Sequence, residues 1–308
     1  MEAGSYKITE IEYHADPCPE PSLSRSTIKD LIQRTPRHAW ENHPRLNPEY
    51  KNEEKDIFDL GSAAHSLFLE GIDKAMVYKG DDWKKKEAQQ FKIDARAAGF
   101  HPLLRRVYDE VTEMVSVAKD CIAKAPDLQI KDLRTEGTAE PSYFWQEKGI
   151  WYRIRLDWIT DNKCLILDYK TTGQFADPGD YERIALNNGL HLQDVLYRRG
   201  VNIVDGTLPQ FVFLVQETKK PYLCSLIELS SQYHQMAEEQ IELATRIWKK
   251  CVKEQYWPGY PANIAVIDPP AWASAKWAEK QIIEDEAYQN AKWAKTRFEA
   301  EITQTEGA

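Results

Sequence analysis

Nowhere in its 308 residues does the sequence hold an apolar run near the roughly 20 residues that a membrane-spanning helix needs. The opening MEAGSYKITEIEYHADP lacks a basic segment followed by an apolar one, so a cytoplasmic protein is expected. Cysteine is sparse: Cys18, Cys121, Cys164, Cys224 and Cys251 are odd in number, widely scattered and without a CxxC pair, which argues against a disulfide framework or a zinc ribbon. They read as reduced, mostly buried thiols. Positive charge is also in deficit. The net charge of −9 counts against general affinity for nucleic acid, so any such contact has to be local. There is no internal repeat and no long low-complexity tract. What the chain does have is 42% hydrophobic and 11% aromatic residues, enough for a substantial core, and one large domain fits better than two small ones.

Hydrophobic spacing divides the chain into helical and extended parts. Serines ahead of Ile28, Leu31 and Ile32 predict a short amphipathic helix that ends before Pro36. Asn42 to Asp56 reads as polar loop, and Phe58 to Glu70, FDLGSAAHSLFLE, as a buried helix with His65 in its middle. The charged stretch 80–100 carries Lys84-Lys85-Lys86, most simply a solvated face, and Leu103 to Ala125 has helical spacing again. Between Glu140 and Lys170 the period changes to three short runs separated by Glu147-Lys148-Gly149 and Asp161-Asn162-Lys163, the pattern of an antiparallel meander. Asp177 to Arg199 reads as a helix weakened at Gly189, and Phe211–Val215 with Tyr222–Leu229 as a hairpin turning at Thr218-Lys219-Lys220-Pro221. Ser230 or Ser231 caps a helix to about Gln255, and the Ala-, Glu- and Lys-rich end, with Trp272, Trp277, Trp293 and Phe298, is expected to be partly helical and frayed.

The meander carries the chemistry. In WYRIRLDWI, strand alternation puts Arg153, Arg155 and Asp157 on one face; in CLILDYK, Asp168 and Lys170 share a face at the end of an otherwise apolar strand. A turn at Asp161-Asn162 brings the strand ends together. Two carboxylates and an ammonium at a sheet edge are costly unless they meet a cation, one another or a substrate. A hard divalent ion such as Mg²⁺, with Mn²⁺ as a substitute, suits these oxygens: held by Asp157 and Asp168 it polarises a phosphate oxygen and activates a water that Lys170 orients for in-line attack. Taken alone an Asp-x-Lys is weak, and a surface ion pair explains it more simply. The Asp that precedes it across a hairpin adds weight.

Asp157 followed by Asp168-Tyr169-Lys170-Thr171-Thr172 resembles the PD-(D/E)XK nuclease signature, and DYKTT is similar to the DxKTT of its RecB-like and RecE-like (exodeoxyribonuclease VIII) members. Gly61-Ser62-Ala63-Ala64-His65 resembles their upstream histidine motif, Gln193 and Tyr197 their QxxxY motif, and Phe211 to Val215 the strand that follows in RecE-like exonucleases; the likeness spans about residues 22–277. Leu156 stands where the signature has proline. The resemblance implies that His65, Asp157, Asp168 and Glu140 form the metal site and that Lys170 is catalytic. Without it, His65 reads as a hydrogen-bonded core histidine. Gln193 and Tyr197, one helical turn apart, would hydrogen-bond DNA or the lysine, although such a pair is commonly mere helix surface. Arg153 and Arg155 either contact phosphates or neutralise the acidic cluster. Ser24, Ser26 and Arg37 suit a terminal 5′ phosphate, while capping accounts equally for the serines.

The expected architecture is α/β, a central mixed sheet flanked by helices: a nuclease domain over 1–270 with a helical extension over 271–308. The resemblance implies an exodeoxyribonuclease acting on ends of double-stranded DNA, 5′ to 3′, supplying 3′ tails to a single-strand annealing recombination protein, and a ring-shaped homo-oligomer around DNA. Rival expectations are an endonuclease or another RecB-like nuclease, and a catalytically silent DNA-binding module. The type with an iron–sulfur cluster is disfavoured because no cysteines cluster around the core.

Overall fold

The computed structural model describes residues 1–51, 59–128, 130 and 132–305. The expected loop over 42–56 and the start of the helix at Phe58 therefore lie partly outside the described residues. The chain opens with strand β1 (Gly4–Tyr6) and helices α1 (Glu10–His14), α2 (Arg25–Gln33) and α3 (Pro36–Glu41). Then come α4 (Asp59–His65), prolonged by a π-turn (Ser66–Glu70), β2 (Ala75–Tyr78), α5 (Lys86–Ala97), β3 (His101–Leu104) and α6 (Arg105–Ala123). The sheet segment follows as β4 (Gly137–Ala139), β5 (Ser142–Glu147), β6 (Ile150–Arg155), β7 (Trp158–Thr160) and β8 (Leu165–Thr172). Helices α7 (Pro178–Asn188) and α8 (Leu190–Asp205), strands β9 (Gln210–Glu217) and β10 (Cys224–Ile227), and helices α9 (Ser231–Glu254) and α10 (Ala271–Thr305) complete it.

The expected α/β class is what the chain adopts: a five-stranded mixed sheet ordered β10-β9-β8-β7-β4 in which only β8 and β9 run parallel. Parallel neighbours need a crossover, and α7 with α8 supplies it. Where one continuous helix is expected, Gly189 at φ +66° closes α7 and opens α8, because glycine enters the left-handed region without a side-chain clash. The meander is likewise divided. Strands β5 and β6 join β1 in a separate three-stranded antiparallel sheet, with Gly4 opposite Phe144, while β7 and β8 belong to the larger one. No helix among the described residues is long and apolar enough to cross a membrane.

Apolar residues run without a polar break through the first half of β8 because both faces are covered. Ile166, Phe211, Phe213 and Val215 pack on one side with residues of α2, α8 and α9; Leu165, Leu167, Tyr169, Val212 and Leu214 pack on the other with Ala63, Ala64, Phe68 and residues of α6. Trp158 is fully buried in the second core and its indole donates to Leu133 O at 2.8 Å. The chain divides into compact units Met1–Gly259 and Tyr260–Ala308.

Gly200 of α8 faces the Trp145 ring and Ile154, and a Cβ there would come within 2.7 Å of both. Helix propensity favours alanine by about 1 kcal/mol, whereas overpacking a close-packed core costs about 1–3 kcal/mol. Packing wins, so Gly200→Ala should lower stability by about 1–2 kcal/mol in a urea titration, and an unchanged or raised midpoint would contradict this packing.

Candidate active site

Two neighbouring strands break at the same level. Between β4 and β5 lie Glu140 and Pro141; between β6 and β7 lie Leu156 and Asp157. The pairing continues across the break, with Glu140 N–H donating to Asp157 O and Leu156 N–H to Pro141 O, both at 3.0 Å. Glu140 takes φ +59°, a left-handed conformation that costs a side-chain-bearing residue about 1–3 kcal/mol. That corner turns the Glu140 and Asp157 carboxylates toward one cleft.

His65, the last residue of α4, completes the cluster. Gly61, Ala63 and Ala64 keep the helix slim, and a Cβ on Gly61 would stand 3.0 Å from Thr171 Oγ1, so α4 reaches the end of β8 closely. The imidazole Nδ1 is 3.2 Å from Glu140 Oε1 and Nε2 is 3.1 Å from Asp157 Oδ2. Asp157 Oδ2 also accepts from Tyr169 N–H at 2.9 Å and lies 3.9 Å from Lys170 Nζ. Lys170 pairs with Asp168, whose second oxygen accepts from the Gln193 amide. Arg155 donates from Nε to Glu140 Oε2 at 2.5 Å and from Nη1 to Ile8 O at 2.9 Å.

The carboxylates are pushed apart electrostatically. Burial opposes ionisation of Asp157, but Lys170 and His65 outweigh it and hold its carboxyl below the usual range. Burial, with the Asp157 charge behind it, raises Asp168 against the pull of Lys170. Burial also raises Glu140, with Asp157 adding to it against His65 and Arg155. For His65, burial disfavours the cation, yet Asp157 and Glu140 prevail and lift it to about 9. Lys170 is disfavoured by burial and restored above the ordinary lysine value by Asp168 and Asp157, with Arg25 close enough to push the other way.

Residues 24–270 match the model of the family described as "PDDEXK-like domain of unknown function (DUF3799)". The chain belongs to that family. No curated protein is similar enough to match. Among solved structures, the crystal structure of a protein named "Putative exonuclease" from Eubacterium rectale is similar with a TM-score of 0.58 at 16% identity, covering 88% of this chain and 98% of that one. At that identity the likeness speaks for the fold. The sequence resemblance to the PD-(D/E)XK superfamily thus holds at family level, and membership supports a nuclease.

PDDEXK nucleases generally use divalent metals, and the donor set here fits one. His65, Glu140 and Asp157 each offer a ligand atom, all within 4.8 Å of one another. Two carboxylate oxygens and an imidazole nitrogen make a set for a divalent ion of intermediate hardness as well as for Mg²⁺. Asp168, expected as a further ligand, is not one of these three; its oxygens meet Lys170 and Gln193. The cleft has a volume of about 830 Å³ and is lined also by Arg155, Lys170, Tyr197 and the segment Lys7–His14.

The remaining sequence-identified residues are distributed unevenly. Tyr197 lines the cleft one turn beyond Gln193; burial, reinforced by Tyr13 and Asp168, raises its phenol well above the usual value. Arg153 needs correcting. It keeps the face that alternation gives it but is only 4% exposed, because the N-terminal segment covers that face: it pairs with Asp16 at 3.2 Å, donates to Ser22 Oγ at 2.7 Å and lies over the Tyr13 ring. A phosphate contact there is blocked. Arg155 serves Glu140 directly. Ser24 caps α2, its hydroxyl accepting from Thr27 N–H at 3.3 Å and bonded to the hydroxyls of Ser26 and Thr27, each at 2.9 Å. Arg37 pairs with Glu41 at 3.1 Å and stacks on Trp40; neither it nor the two serines lines the cleft. Two contributors escaped the sequence reading, the Lys7–His14 wall and Arg25, whose charge is felt at Lys170 and Tyr197. The only local signal for Arg25 is its place between two serines at a helix start.

In the metal-free protein the raised His65 value adds stability that is fully present below about 6.5 and is lost as pH climbs through about 9. A metal ligand has to be unprotonated. Calorimetric titration with Mn²⁺ near pH 7, repeated in buffers of different ionisation enthalpy, should therefore show about one proton released per ion bound, falling toward zero above pH 9. Equal heats in all buffers at pH 7 would contradict a protonated His65.

Proposed function

We propose that this protein is a metal-dependent exodeoxyribonuclease that hydrolyses phosphodiester bonds at the ends of linear double-stranded DNA, from the 5′ end, leaving 3′ single-stranded tails. The observation that carries the reading is the convergence of His65, Glu140 and Asp157 in one open cleft beside Lys170, in a chain of the PDDEXK-like family. Mg²⁺ is the proposed ion, with Mn²⁺ as a substitute; bound by those residues, it would supply Lewis-acid polarisation of the scissile phosphate and a water of lowered pKa.

The chain's own groups account for positioning. Asp157 is fixed by the Tyr169 N–H, so its carboxylate holds its place with few degrees of freedom. Lys170 is clamped between Asp157 and Asp168 and points its ammonium at the cleft, where it stabilises charge that builds up on a phosphate oxygen. Gln193 holds Asp168, and through it Lys170; it is a positioning residue. Tyr197 offers a protonated phenol to substrate. Arg25, at the start of α2 and with its charge felt at Lys170, is the proposed partner of a terminal 5′ phosphate in place of Ser24, Ser26 and Arg37, which do not line the cleft. A single-strand annealing protein is the proposed consumer of the tail, and a ring of identical chains the proposed assembly.

The deciding assay is digestion of linear duplex DNA labelled separately at its 5′ and 3′ ends, with Mg²⁺, Mn²⁺ or EDTA, beside a closed circle. Metal-dependent loss of the 5′ label with the circle spared is expected. Cutting of the circle would replace the exonuclease by an endonuclease, and intact substrate throughout would favour a silent DNA-binding module. Asp168→Ala should abolish detectable cleavage, whereas Gln193→Ala, acting one residue removed, should slow it by roughly ten- to a hundredfold, less than the ~10²–10³ of a direct electrostatic group. Full activity in Asp168→Ala would show the site to be misplaced.

A further inference from the structure

Lys84, Lys85 and Lys86 have no part in the chemistry above. They belong to an insertion between α4 and α6, the parallel strands β2 and β3 joined by α5. Its base stands on the cleft: Lys74, just before β2, and His101, which begins β3, both line the cleft, and His101 N–H donates to Lys74 O at 2.7 Å. From Lys74 the strand climbs to Tyr78, roughly 13 Å at ~3.3 Å per residue.

At that end Tyr78, Trp83 and Phe91 form an aromatic cluster. The Tyr78 and Trp83 rings stack with centroids 5.5 Å apart and planes 24° apart, and Phe91 lies 5.2 Å from Tyr78 and 6.4 Å from Trp83. None of the three joins a hydrophobic core cluster, and each remains half-buried at the surface. Lys79, Lys84, Lys85 and Lys86 adjoin Tyr78 and Trp83 in the chain, exposed and without an ion-pair partner among the described residues. Lys92 holds its ammonium 4.9 Å from the Trp83 centroid, a cation–π contact. Across residues 79–94 five lysines stand against Asp81, Asp82, Glu87 and Asp94, a net +1 in a chain of net charge −9, with three of the lysines consecutive beside Trp83. Rings that offer π-faces and lysines that track a backbone are the two parts of a single-strand site, and a duplex has no open base faces to stack.

We infer that the β2–α5–β3 insertion binds an unpaired DNA strand, stacking bases on Tyr78, Trp83 and Phe91 and neutralising phosphates with Lys79, Lys84, Lys85 and Lys86. The choice of DNA rests on the nuclease reading, and continuity with the cleft wall places the strand beside the site that generates it.

The test is fluorescence anisotropy of labelled oligothymidylate with the full-length protein in EDTA, so that binding is read without cleavage, against a blunt duplex of equal length. The variants are Trp83→Leu, which keeps apolar bulk but removes the ring face, and the exposed triple change K84S/K85S/K86S, each checked for fold by circular dichroism. The parent should bind the oligonucleotide, Trp83→Leu should bind at least about fivefold more weakly, and the triple variant should lower the slope of log affinity against log salt by about 2. Equal binding by parent and both variants would overturn the inference. Loss in the triple variant with none in Trp83→Leu would overturn the stacking platform. Failure of the parent to cleave DNA with Mg²⁺ or Mn²⁺ is a separate result that sinks the nuclease reading and leaves the binding comparison to stand by itself.

Discussion

The site depends on one backbone corner. Pro141 has no N–H to give a ladder, so a straight strand through 139–142 would leave its neighbour short of a partner. The chain resolves this by breaking both strands together and spanning the break with the bonds Glu140 N–H to Asp157 O and Leu156 N–H to Pro141 O. One pair of strands thereby serves two sheets, and the residues at the bend lose the strict alternation that would have sent Glu140 and Asp157 to fixed faces. The left-handed strain at Glu140 is held by the pairing on either side and by Arg155, which is itself tied to Ile8. The N-terminal segment, the corner and the Glu140 carboxylate of the cleft are thus mechanically one object.

Strand β8 serves core and chemistry at once. Tyr169 faces the second core, its ring 4.9 Å from that of Phe68, while Asp168 and Lys170 on either side face the opposite way toward Gln193 and the cleft. The strand is anchored by what lies on one face and reactive through what lies on the other. The same alternation explains why Tyr169 can lend its N–H to Asp157 without disturbing its own side chain.

How much of this is legible in the sequence follows from how local each signal is. Asp168 and Lys170 are two residues apart, so alternation alone puts them on one face, and the sheet-forming runs on either side of Asp161-Asn162 are legible for the same reason. The break at Asp157 is not, because it arises from a partner strand and a proline sixteen positions earlier. Nor is the pairing of β1 with β5, which joins Gly4 to Phe144. The segment from Tyr13 to Ser22, laid over Arg153, accounts for the error there: period two assigns the face correctly and says nothing about what covers it. The short Ser-Arg-Ser at 24–26 illustrates the converse, since Ser24 acts as a cap that a sequence reading finds, while the influence of Arg25 on the site comes only through the packing of α2 on α8.

Charge balance explains why the site can exist before it works. Glu140, Asp157 and Asp168 bring three carboxylates into a sheltered cleft, and Arg155, Lys170 and the imidazolium of His65 bring three cations against them. Without a metal the cluster is close to neutral, and the imidazolium of His65 bridges Glu140 and Asp157. On the proposed reading, exchange of the imidazolium proton for a divalent ion leaves the cluster with one surplus positive charge, the complement of the single negative charge of a phosphodiester. In the cleft that surplus forms only when the site is loaded, which on this reading is how a chain of net charge −9 draws a phosphodiester to the reacting atoms.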